Sequence, residues 1–444
     1  MSKTPILAPP LARLAGRTLV DAPAIPEGAP FPRAERTSDL TLADLATTMD
    51  AAINRAAHRF ALDIAGEPGF AAEAEILLVP AQPGPALCLV SHGAHLWRRL
   101  VEDGPLPAAA FDDADLDVLA QWRTLGIVAF GSDHPARMRR LSRPVLSSPL
   151  HELVYAVTVN VAAGLGIRTV FIKGPALRSQ GLREREHSAD VDVWCDPART
   201  EELAEALAEW GWRRSPDPWS GTPVPHSTTM SPTSWGCEID VHRRVPGLAL
   251  DDASAFEAVS ASCVTTEYAG TLVRIPTAAV HAVLAAVNAV RPAIGGRGRP
   301  AEATTAAVRM LTAADGSLDR ARELGAVSAL RDELTEAFGA GSTAGSAMLV
   351  PRDWQWRGRP DTAHAYLAAL RSLPISDRPR VILRLLWPDD DVALASARRA
   401  GDPTDDPRRA RLRRLLRGLR EWGRGRRDRL PAPSTRPLTE RTPR

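Results

Sequence analysis

Residues 170–196 read VFIKGPALRSQGLREREHSADVDVWCD, and the rest of the chain is organised around this stretch. An apolar run breaks at Lys173 and Gly174, a helix-compatible segment follows, and a second apolar run carries Asp190 and Asp192. Alternate residues of a strand share a face, so the pattern predicts both carboxylates on one side of the second strand. Like charges so close together raise each other's pKa unless a cation lies between them, and a divalent metal would be such a cation.

A later apolar run, CEIDVHRRV, repeats this arrangement of acids. In a strand, Glu238, Asp240 and His242 would share one face. Carboxylates from two neighbouring strands could supply the oxygen ligands of one or two Mg²⁺ ions. Either Glu238 or Asp240 could be the third acidic ligand, and we favour Asp240. His242 could contact substrate or donate to a neighbouring carboxylate.

The first apolar run ends in an unusual cation, because the 55 basic residues of the chain include only two lysines, Lys3 and Lys173. Because almost every other basic residue of the chain is Arg, a lysine at this position indicates that a compact ammonium group is required there. Gly174 would let the backbone approach phosphates closely. Each feature also has an ordinary explanation, a solvated Asp-x-Asp strand or a simple turn, and we expect His226 and His281 to be structural.

In this order, FIKGPAL, ADVDVWCDPAR and CEIDVHRR resemble the uncharacterised nucleotidyltransferase family of the DNA polymerase β-like superfamily. The resemblance spans the middle of the chain. It implies an α+β fold with a mixed sheet flanked by helices, and a magnesium-dependent enzyme that moves a nucleoside monophosphate from an NTP to an acceptor. It also implies catalytic, metal-binding roles for three residues, Asp190, Asp192 and Asp240, and nucleotide-binding roles for three more, Lys173, Gly174 and His242.

One departure from the family pattern concerns the turn itself. The family's superfamily usually has Gly followed by Ser or Gly, whereas this chain has Lys173, Gly174 and Pro175. Pro175 removes one amide donor, although Pro is well accommodated in a first helical turn. The acceptor is not specified by the resemblance, and a peptide, a small molecule or RNA would all be compatible with the chemistry.

The length of 444 residues is sufficient for two or three domains. Turn-rich breaks and shifts in pattern predict the following organisation: an irregular arm over 1–37, a small α/β domain over 38–148, the nucleotidyltransferase-like core over 149–290, a helical region over 301–430 and a disordered tail over 431–444.

The small N-terminal domain has its own pattern, with a helix predicted over 41–65, then strands and two helices. SHGAHLWRRLVEDG followed by LAQWRTLGIV resembles the PqqD-like fold, a winged-helix-type domain that binds leader peptides. This resemblance implies the alternative function, a non-catalytic protein that recruits a peptide in a peptide-modification pathway. The other interpretation is a helical packing domain with Trp97 and Trp122 in its core.

Composition narrows the class of protein further. The chain is 44% hydrophobic and 24% charged, which is typical of a globular protein. Its net charge of +2 is too small to create an overall positive potential that would attract nucleic acid. The Arg-rich segment after residue 407 could contact nucleic acid, but we expect a solvated face. Four cysteines without a CxxC motif indicate neither zinc nor disulfides. Without an apolar run suited to a secretory signal or a membrane span, we expect a cytoplasmic location.

Overall fold

The computed structural model describes residues 12–14, 60–80, 83–103, 106, 108–125, 127–128, 140–186, 189–294, 301–344, 351–359 and 361–427. Within them the chain is an α+β protein with a mixed sheet flanked by helices, which confirms the predicted class. The first part of the helix predicted over 41–65 and the tail predicted over 431–444 lie outside the described residues.

The first sheet has four strands in the order β1-β4-β3-β2, with β1 parallel to β4 and the other pairs antiparallel. Its strands are β1 (Ala12–Leu14), β2 (Ala61–Asp63), β3 (Ala74–Leu78) and β4 (Leu87–Val90). Helices α1 (Ser91–Glu102) and α2 (Asp113–Thr124) follow. Trp97 and Trp122 pack edge to face in their core, with ring centroids 5.8 Å apart.

Two of these strands differ from the sequence-based expectation. Strand β1 lies inside the stretch expected to be an irregular arm, and β2 lies at the end of the helix expected over 41–65. The reason for β2 is visible in its neighbours: Phe60, Leu62 and Ile64 alternate with the two-residue period of a strand and enter one buried cluster. A helical pattern could not place all three on the same side.

Helix α3 (Pro149–Gly164) leads into the central sheet. The five strands of this sheet are β5 (Thr169–Ile172), β6 (Asp190–Cys195), β7 (Trp212–Arg214), β8 (Ser227–Pro232) and β9 (Glu238–His242). Their order is β5-β6-β9-β8-β7, and β6 and β9 run parallel while the other neighbours are antiparallel. Helix α4 (Gly174–Ser179) follows β5, and α5 (Thr200–Glu209) follows β6.

The remaining elements of the core are helix α6 (Asp252–Ala261), the antiparallel hairpin of β10 (Cys263–Tyr268) and β11 (Thr271–Pro276), and helix α7 (Ala278–Ala289). Glu152 of α3 is fully buried and fixes the hairpin, because its carboxylate accepts hydrogen bonds from the backbone N–H groups of Val145, Leu146 and Ala269 at 2.8, 3.0 and 2.7 Å. Burial raises the pKa of Glu152, and the backbone donors oppose that rise.

Both faces of the central sheet are apolar for part of their length. Val191, Val193 and Val241 point into the cluster shared with α3 and α5. On the opposite face, Ile172 and Trp194 pack with α6 and α7. This second face turns acidic where the helices stop covering it, and the carboxylates of the site lie there.

The C-terminal region is helical in its described residues. Its helices are α8 (Ala301–Ala313), α9 (Ser317–Glu323), α10 (Arg331–Phe338), α11 (Arg352–Arg357), α12 (Thr362–Arg371), α13 (Arg378–Leu386), α14 (Asp390–Arg399) and α15 (Pro407–Arg427). Trp219, from the loop before β8, packs with Trp356 of α11 and Tyr366 of α12. None of the helices in the described part of the chain combines the length and the apolar character that crossing a membrane requires.

Candidate active site

The carboxylates of the site are brought together by the register of the one parallel strand pair in the central sheet. Asp192 of β6 lies directly opposite Asp240 of β9, and Asp190 lies opposite Glu238. Because residues two apart share a face, all four acids project from the same side of the sheet. Ligand atoms of Asp192, Asp240 and His242 lie within 4.8 Å of one another.

Asp192 is the buried centre of this cluster, with only 2% of its surface exposed. Its Oδ1 accepts hydrogen bonds from Lys173 Nζ at 2.5 Å and from His242 Nε2 at 2.8 Å. Burial by itself would raise the pKa of Asp192, but the His242 hydrogen bond and the Lys173 charge outweigh it and lower that pKa. Asp192 is therefore held as a carboxylate.

Asp190 is half-buried and has the opposite electrostatic character. Burial is the largest cause of its raised pKa, and the nearby charges of Asp192 and Asp240 raise that pKa further. The positive charge of Lys173 partly opposes this rise. This is the repulsion that the Asp-x-Asp pattern predicted. A cation placed between the carboxylates would relieve it.

Asp240 is the acid of β9 that faces the cluster. Its Oδ1 accepts a hydrogen bond from Thr229 Oγ1 of the neighbouring strand at 2.5 Å. Glu238 lies one alternation away, is exposed, and accepts a hydrogen bond from Ser231 Oγ at 3.3 Å. The structure thus brings Asp240, rather than Glu238, beside Asp192.

The turn after β5 has a backbone conformation that is rare outside glycine. Lys173 has φ of 66° and ψ of −151°, and Gly174 has φ of 59°. Side-chain-bearing residues seldom occupy this region, and such strain persists only where the surroundings enforce it. Here the backbone N–H of Lys173 donates to Nε2 of His281 at 2.7 Å, while the ammonium is bound to Asp192.

His281 of α7 is completely buried and accepts the hydrogen bond from the backbone of the turn. Because Nε2 accepts the Lys173 N–H, Nδ1 carries the ring proton and donates to Gln180 Oε1 at 2.7 Å. Burial lowers the pKa of His281 to about 3, so the ring is neutral at ordinary pH. The sequence indicated a structural histidine but gave no sign that it positions Lys173.

Arg183 is a second residue of the site that sequence reasoning missed. Its Nη2 donates to the carbonyl oxygens of Gly174 at 3.0 Å and Glu186 at 2.8 Å. Burial lowers the pKa of Arg183, and the charges of Asp192 and Asp190 are close enough to oppose that effect. In so arginine-rich a chain nothing in the local sequence distinguishes this residue from the others.

His242, predicted to bind nucleotide, is buried at 2% exposure and is directed at Asp192. Since Asp192 is ionised, Nε2 of His242 must donate, which is the other role that its sequence position allowed. Its ring lies 5.4 Å from that of His226, centroid to centroid. Burial and several surrounding cations lower the pKa of His226 well below its usual value, so His226 is neutral.

A cleft of about 990 Å³ opens beside the cluster, on the side of β8. Two residues of its wall adjoin the site: Thr229 donates a hydrogen bond to Asp240, and the ring of His226 lies next to that of His242. Residues 214–226 line much of it, and aromatic and arginine side chains of the C-terminal helices complete it. The cleft therefore adjoins the carboxylate site through these two wall residues.

The donor set fits Mg²⁺ on its chemistry. Among the described residues, the hydrogen bonds to Asp192 fall on Oδ1, and the one to Asp240 also falls on Oδ1. The Oδ2 atoms of both carboxylates take no part in these hydrogen bonds and can act as ligands, while Asp190 lies on the same face but outside the group of ligand atoms within 4.8 Å of one another. Mg²⁺ prefers such hard oxygen ligands, and a histidine that orients a ligating carboxylate is a common arrangement around metals.

No protein-family model matches the chain, and no curated protein matches it. Several solved structures are similar to parts of it. A lincosamide antibiotic adenylyltransferase, LnuA, solved with lincomycin bound, is 16% identical over 29% of this chain and 81% of its own, with a TM-score of 0.21. An antigenic nucleotidyltransferase-like protein from Paracoccidioides brasiliensis is 12% identical over 45% of this chain and 93% of its own, with a TM-score of 0.28.

Proposed function

We propose that this protein is a Mg²⁺-dependent nucleotidyltransferase that moves a nucleoside monophosphate from an NTP to an acceptor. The observation that carries the proposal is the parallel register of β6 and β9, which sets Asp192 opposite Asp240 with Asp190 on the same face. Three carboxylates on one face repel one another, and divalent cations, which would also bind the triphosphate, would offset that repulsion.

The metal-binding residues in this proposal are Asp190, Asp192 and Asp240, with room in the donor set for one or two ions. A bound Mg²⁺ would neutralise charge on the reacting phosphorus and on the pyrophosphate that leaves. His242 would keep Asp192 ionised and oriented, and its further role as a nucleotide contact belongs to the same proposal.

The triphosphate would lie on the β5 side of the carboxylates, over the turn of Lys173 and Gly174. Lys173 Nζ, already at Asp192, supplies a positive charge at the boundary between metal and phosphate. Gly174, buried in the turn at φ of 59°, would let the backbone approach the phosphates closely. Arg183, bound to the carbonyl of Gly174, holds the turn and adds positive charge nearby.

Asp240 would accept the proton of the attacking hydroxyl. It is half-buried and its Oδ1 is held by Thr229, which fixes the carboxylate towards the cleft side of the sheet. A base must lie within hydrogen-bond reach of the proton that it removes, and an acceptor in the adjoining cleft would meet this requirement.

One observation favours a second candidate, a non-catalytic binding protein. Asp192 is already paired with Lys173 and His242, so the buried carboxylate is electrostatically compensated without a metal. In that case the N-terminal domain would supply the function, by binding a peptide. Calorimetry separates the two candidates, since peptide binding without any response to NTP and Mg²⁺ would favour the second.

The direct test is incubation with each of four α-labelled NTPs and Mg²⁺, alone and with pools of small molecules, peptides and RNA, followed by mass spectrometry of labelled products. Asp192→Asn and Asp240→Asn should reduce labelling to background while the circular dichroism spectrum is kept. Glu238→Gln, one alternation along the same face, is the matched control and should retain transfer. Transfer of label from the NTP that persists in Asp192→Asn would refute the proposal.

A further inference from the structure

Three arginines interact with one carboxylate, Asp353, and two of them, Arg291 and Arg357, line the cleft. Arg244 forms an ion pair with Asp353, Nη2 to Oδ1 at 2.7 Å, and Asp353 is only 6% exposed. Asp353 is also the nearby negative charge that acts on Arg291 and Arg357. Asp353 is thus the carboxylate that acts on Arg291 and Arg357, and it is already ion-paired with Arg244.

The other two arginines are held by neutral groups. Arg291 Nη1 donates to His226 Nε2 at 3.1 Å, and Arg357 Nε donates to the carbonyl of Pro292 at 2.8 Å. No carboxylate of a described residue forms an ion pair with either arginine. Arg291 Nε is buried and has no hydrogen-bond partner among the described residues. The pair therefore retains both positive charge and unused donors.

This excess of charge is costly in a partly buried place. Burial lowers the pKa of Arg291 to about 9, and the charges of Arg357 and Arg244 act in the same direction as burial. Burial likewise lowers the pKa of Arg357. Buried cations are normally matched by an anion, and planar guanidinium groups match phosphate and carboxylate groups in two-point hydrogen bonding.

The acidic side chains in the cleft wall do not supply that anion. Glu201 is ion-paired with Arg214 at 2.5 Å, and Asp217 accepts the backbone N–H of Trp219 at 3.0 Å. The remaining wall near Arg291 and Arg357 is aromatic or apolar, with Trp219, Trp356, Tyr366 and Ile294. The cleft thus combines an uncompensated cationic end with an apolar wall.

The position of this cationic end relative to the carboxylates points to its ligand. The sheet order β5-β6-β9-β8-β7 places the Lys173 turn on one side of the acid strands and the strand that follows His226 on the other. Phosphates over the Lys173 turn would leave the β8 side to the second substrate. Arg291 is connected to the site through His226, whose ring neighbours that of His242.

We infer that Arg291 and Arg357 bind an anionic group, a phosphate or a carboxylate, of the acceptor, whose apolar or aromatic body lies against Trp219, Trp356 and Tyr366. This inference rests on the proposed function, because it takes the other side of the carboxylates to be the nucleotide's. It narrows the acceptor to molecules that carry a negative charge beside an apolar portion.

The test uses three probes without divalent metal: phenyl phosphate, benzoate and neutral phenol, titrated calorimetrically in the presence of EDTA. The wild-type protein should bind at least one anionic probe saturably and phenol at least about tenfold more weakly, since charged hydrogen bonds contribute that much. The tighter of the two anions identifies the group. Arg291→Gln should weaken anion binding by about tenfold or more. Arg357→Gln is the second variant, should Arg291→Gln fail to fold.

The control is Arg309→Gln, an exposed arginine of α8 outside the cleft that pairs with Glu184 and should leave probe binding unchanged. Absence of anion binding, or binding unaffected by both cleft variants, overturns the inference. If ATP with Mg²⁺ displaces the probe and Arg291→Gln weakens ATP binding equally, the arginines bind the nucleotide's phosphates and the acceptor assignment is wrong. Probe binding in a protein without any ATP response would refute nucleotidyl transfer and the acceptor assignment, while the anion site would stand.

Discussion

The backbone N–H of Lys173 donates to Nε2 of His281, a residue 108 positions later in the chain, at 2.7 Å. This hydrogen bond joins the strained turn after β5 to the N-terminal end of helix α7. The ammonium of the same lysine is bound to Asp192. One residue thus couples the turn, the carboxylate cluster and a distant helix, and its neighbours offer direct tests.

The first prediction concerns acid stability. The pKa of His281 falls from 6.5 to about 3 on burial, so below about pH 6.5 the unfolded chain binds a proton that the folded protein does not. The free energy of unfolding should therefore fall as the pH drops from about 6.5 towards about 3, by up to about 1.4 kcal/mol per pH unit from this residue. Urea unfolding of the wild type and His281→Gln at pH 7 and pH 5 measures it.

In His281→Gln the loss of stability between the two pH values should be smaller, because the titrating ring is gone. His226 changes in the same direction, so part of the dependence will remain. The exposed His95→Gln is the control and should follow the wild type. An identical pH dependence in His281→Gln and the wild type would contradict the prediction.

The second prediction separates the strain at Lys173 from its charge. Lys173→Gly and Lys173→Ala both remove the ammonium and should weaken NTP binding alike. They differ in the backbone, because only glycine adopts φ of 66° with ψ of −151° without strain. The glycine variant should be more stable than the alanine variant by on the order of 1 kcal/mol in urea unfolding. Equal stabilities would mean that the turn relaxes when the ammonium is lost.

The third prediction is a trade between stability and metal binding at Asp190. Burial and two like charges raise the pKa of this carboxyl, so its ionised form is a net cost to the metal-free fold at pH 7. Protonated Asp190 stabilises the fold relative to ionised Asp190. This stabilisation is complete below the pKa of Asp190 in the unfolded chain and is lost as the pH rises through its raised pKa in the folded protein. Asp190→Asn should therefore melt higher than the wild type without metal, and should lose the stabilisation that Mg²⁺ adds. Thermal melts with EDTA and with Mg²⁺ test both parts; a variant that Mg²⁺ still stabilises fully would exclude Asp190 as a ligand.

The fourth prediction concerns Glu152, whose carboxylate satisfies the backbone N–H groups of Val145, Leu146 and Ala269. Glu152→Ala leaves three donors unpaired, and we expect a loss of at least about 3 kcal/mol of unfolding free energy. Glu205→Ala, at an exposed position of α5, should change it by less than about 0.5 kcal/mol. A loss below about 1 kcal/mol in Glu152→Ala would indicate that water replaces the carboxylate.

The acid-bearing strands could be predicted from sequence because their signal is local. A two-residue alternation sets Asp190 with Asp192, and Asp240 with His242, whatever the rest of the chain does. The mixed α+β class was implied by the resemblance of FIKGPAL, ADVDVWCDPAR and CEIDVHRR to a nucleotidyltransferase family, and the structure has that class. A comparable alternation of Phe60, Leu62 and Ile64 marks β2, but it lies at the end of a longer stretch with helical spacing.

The parts that escaped prediction depend on contacts far apart in sequence. Nothing local shows that β6 and β9 pair in parallel, which is what sets Asp192 opposite Asp240. His281 comes from helix α7 and Arg291 from the segment that follows it, and they resemble many other buried or basic residues of the chain. Their roles exist only once tertiary packing has placed them, so periodicity and spacing carry no signal for them.

The parallel pairing of β6 with β9 also determines when the site can form during folding. A parallel pair cannot be closed by a tight hairpin, and here α5, β7 and β8 lie in the connection between the two strands. Loop closure of this kind is slow compared with local helix formation. The carboxylate cluster is therefore assembled with the long-range topology of the sheet rather than with its local elements. During refolding, recovery of binding at the proposed Mg²⁺ site would report when the central sheet is complete.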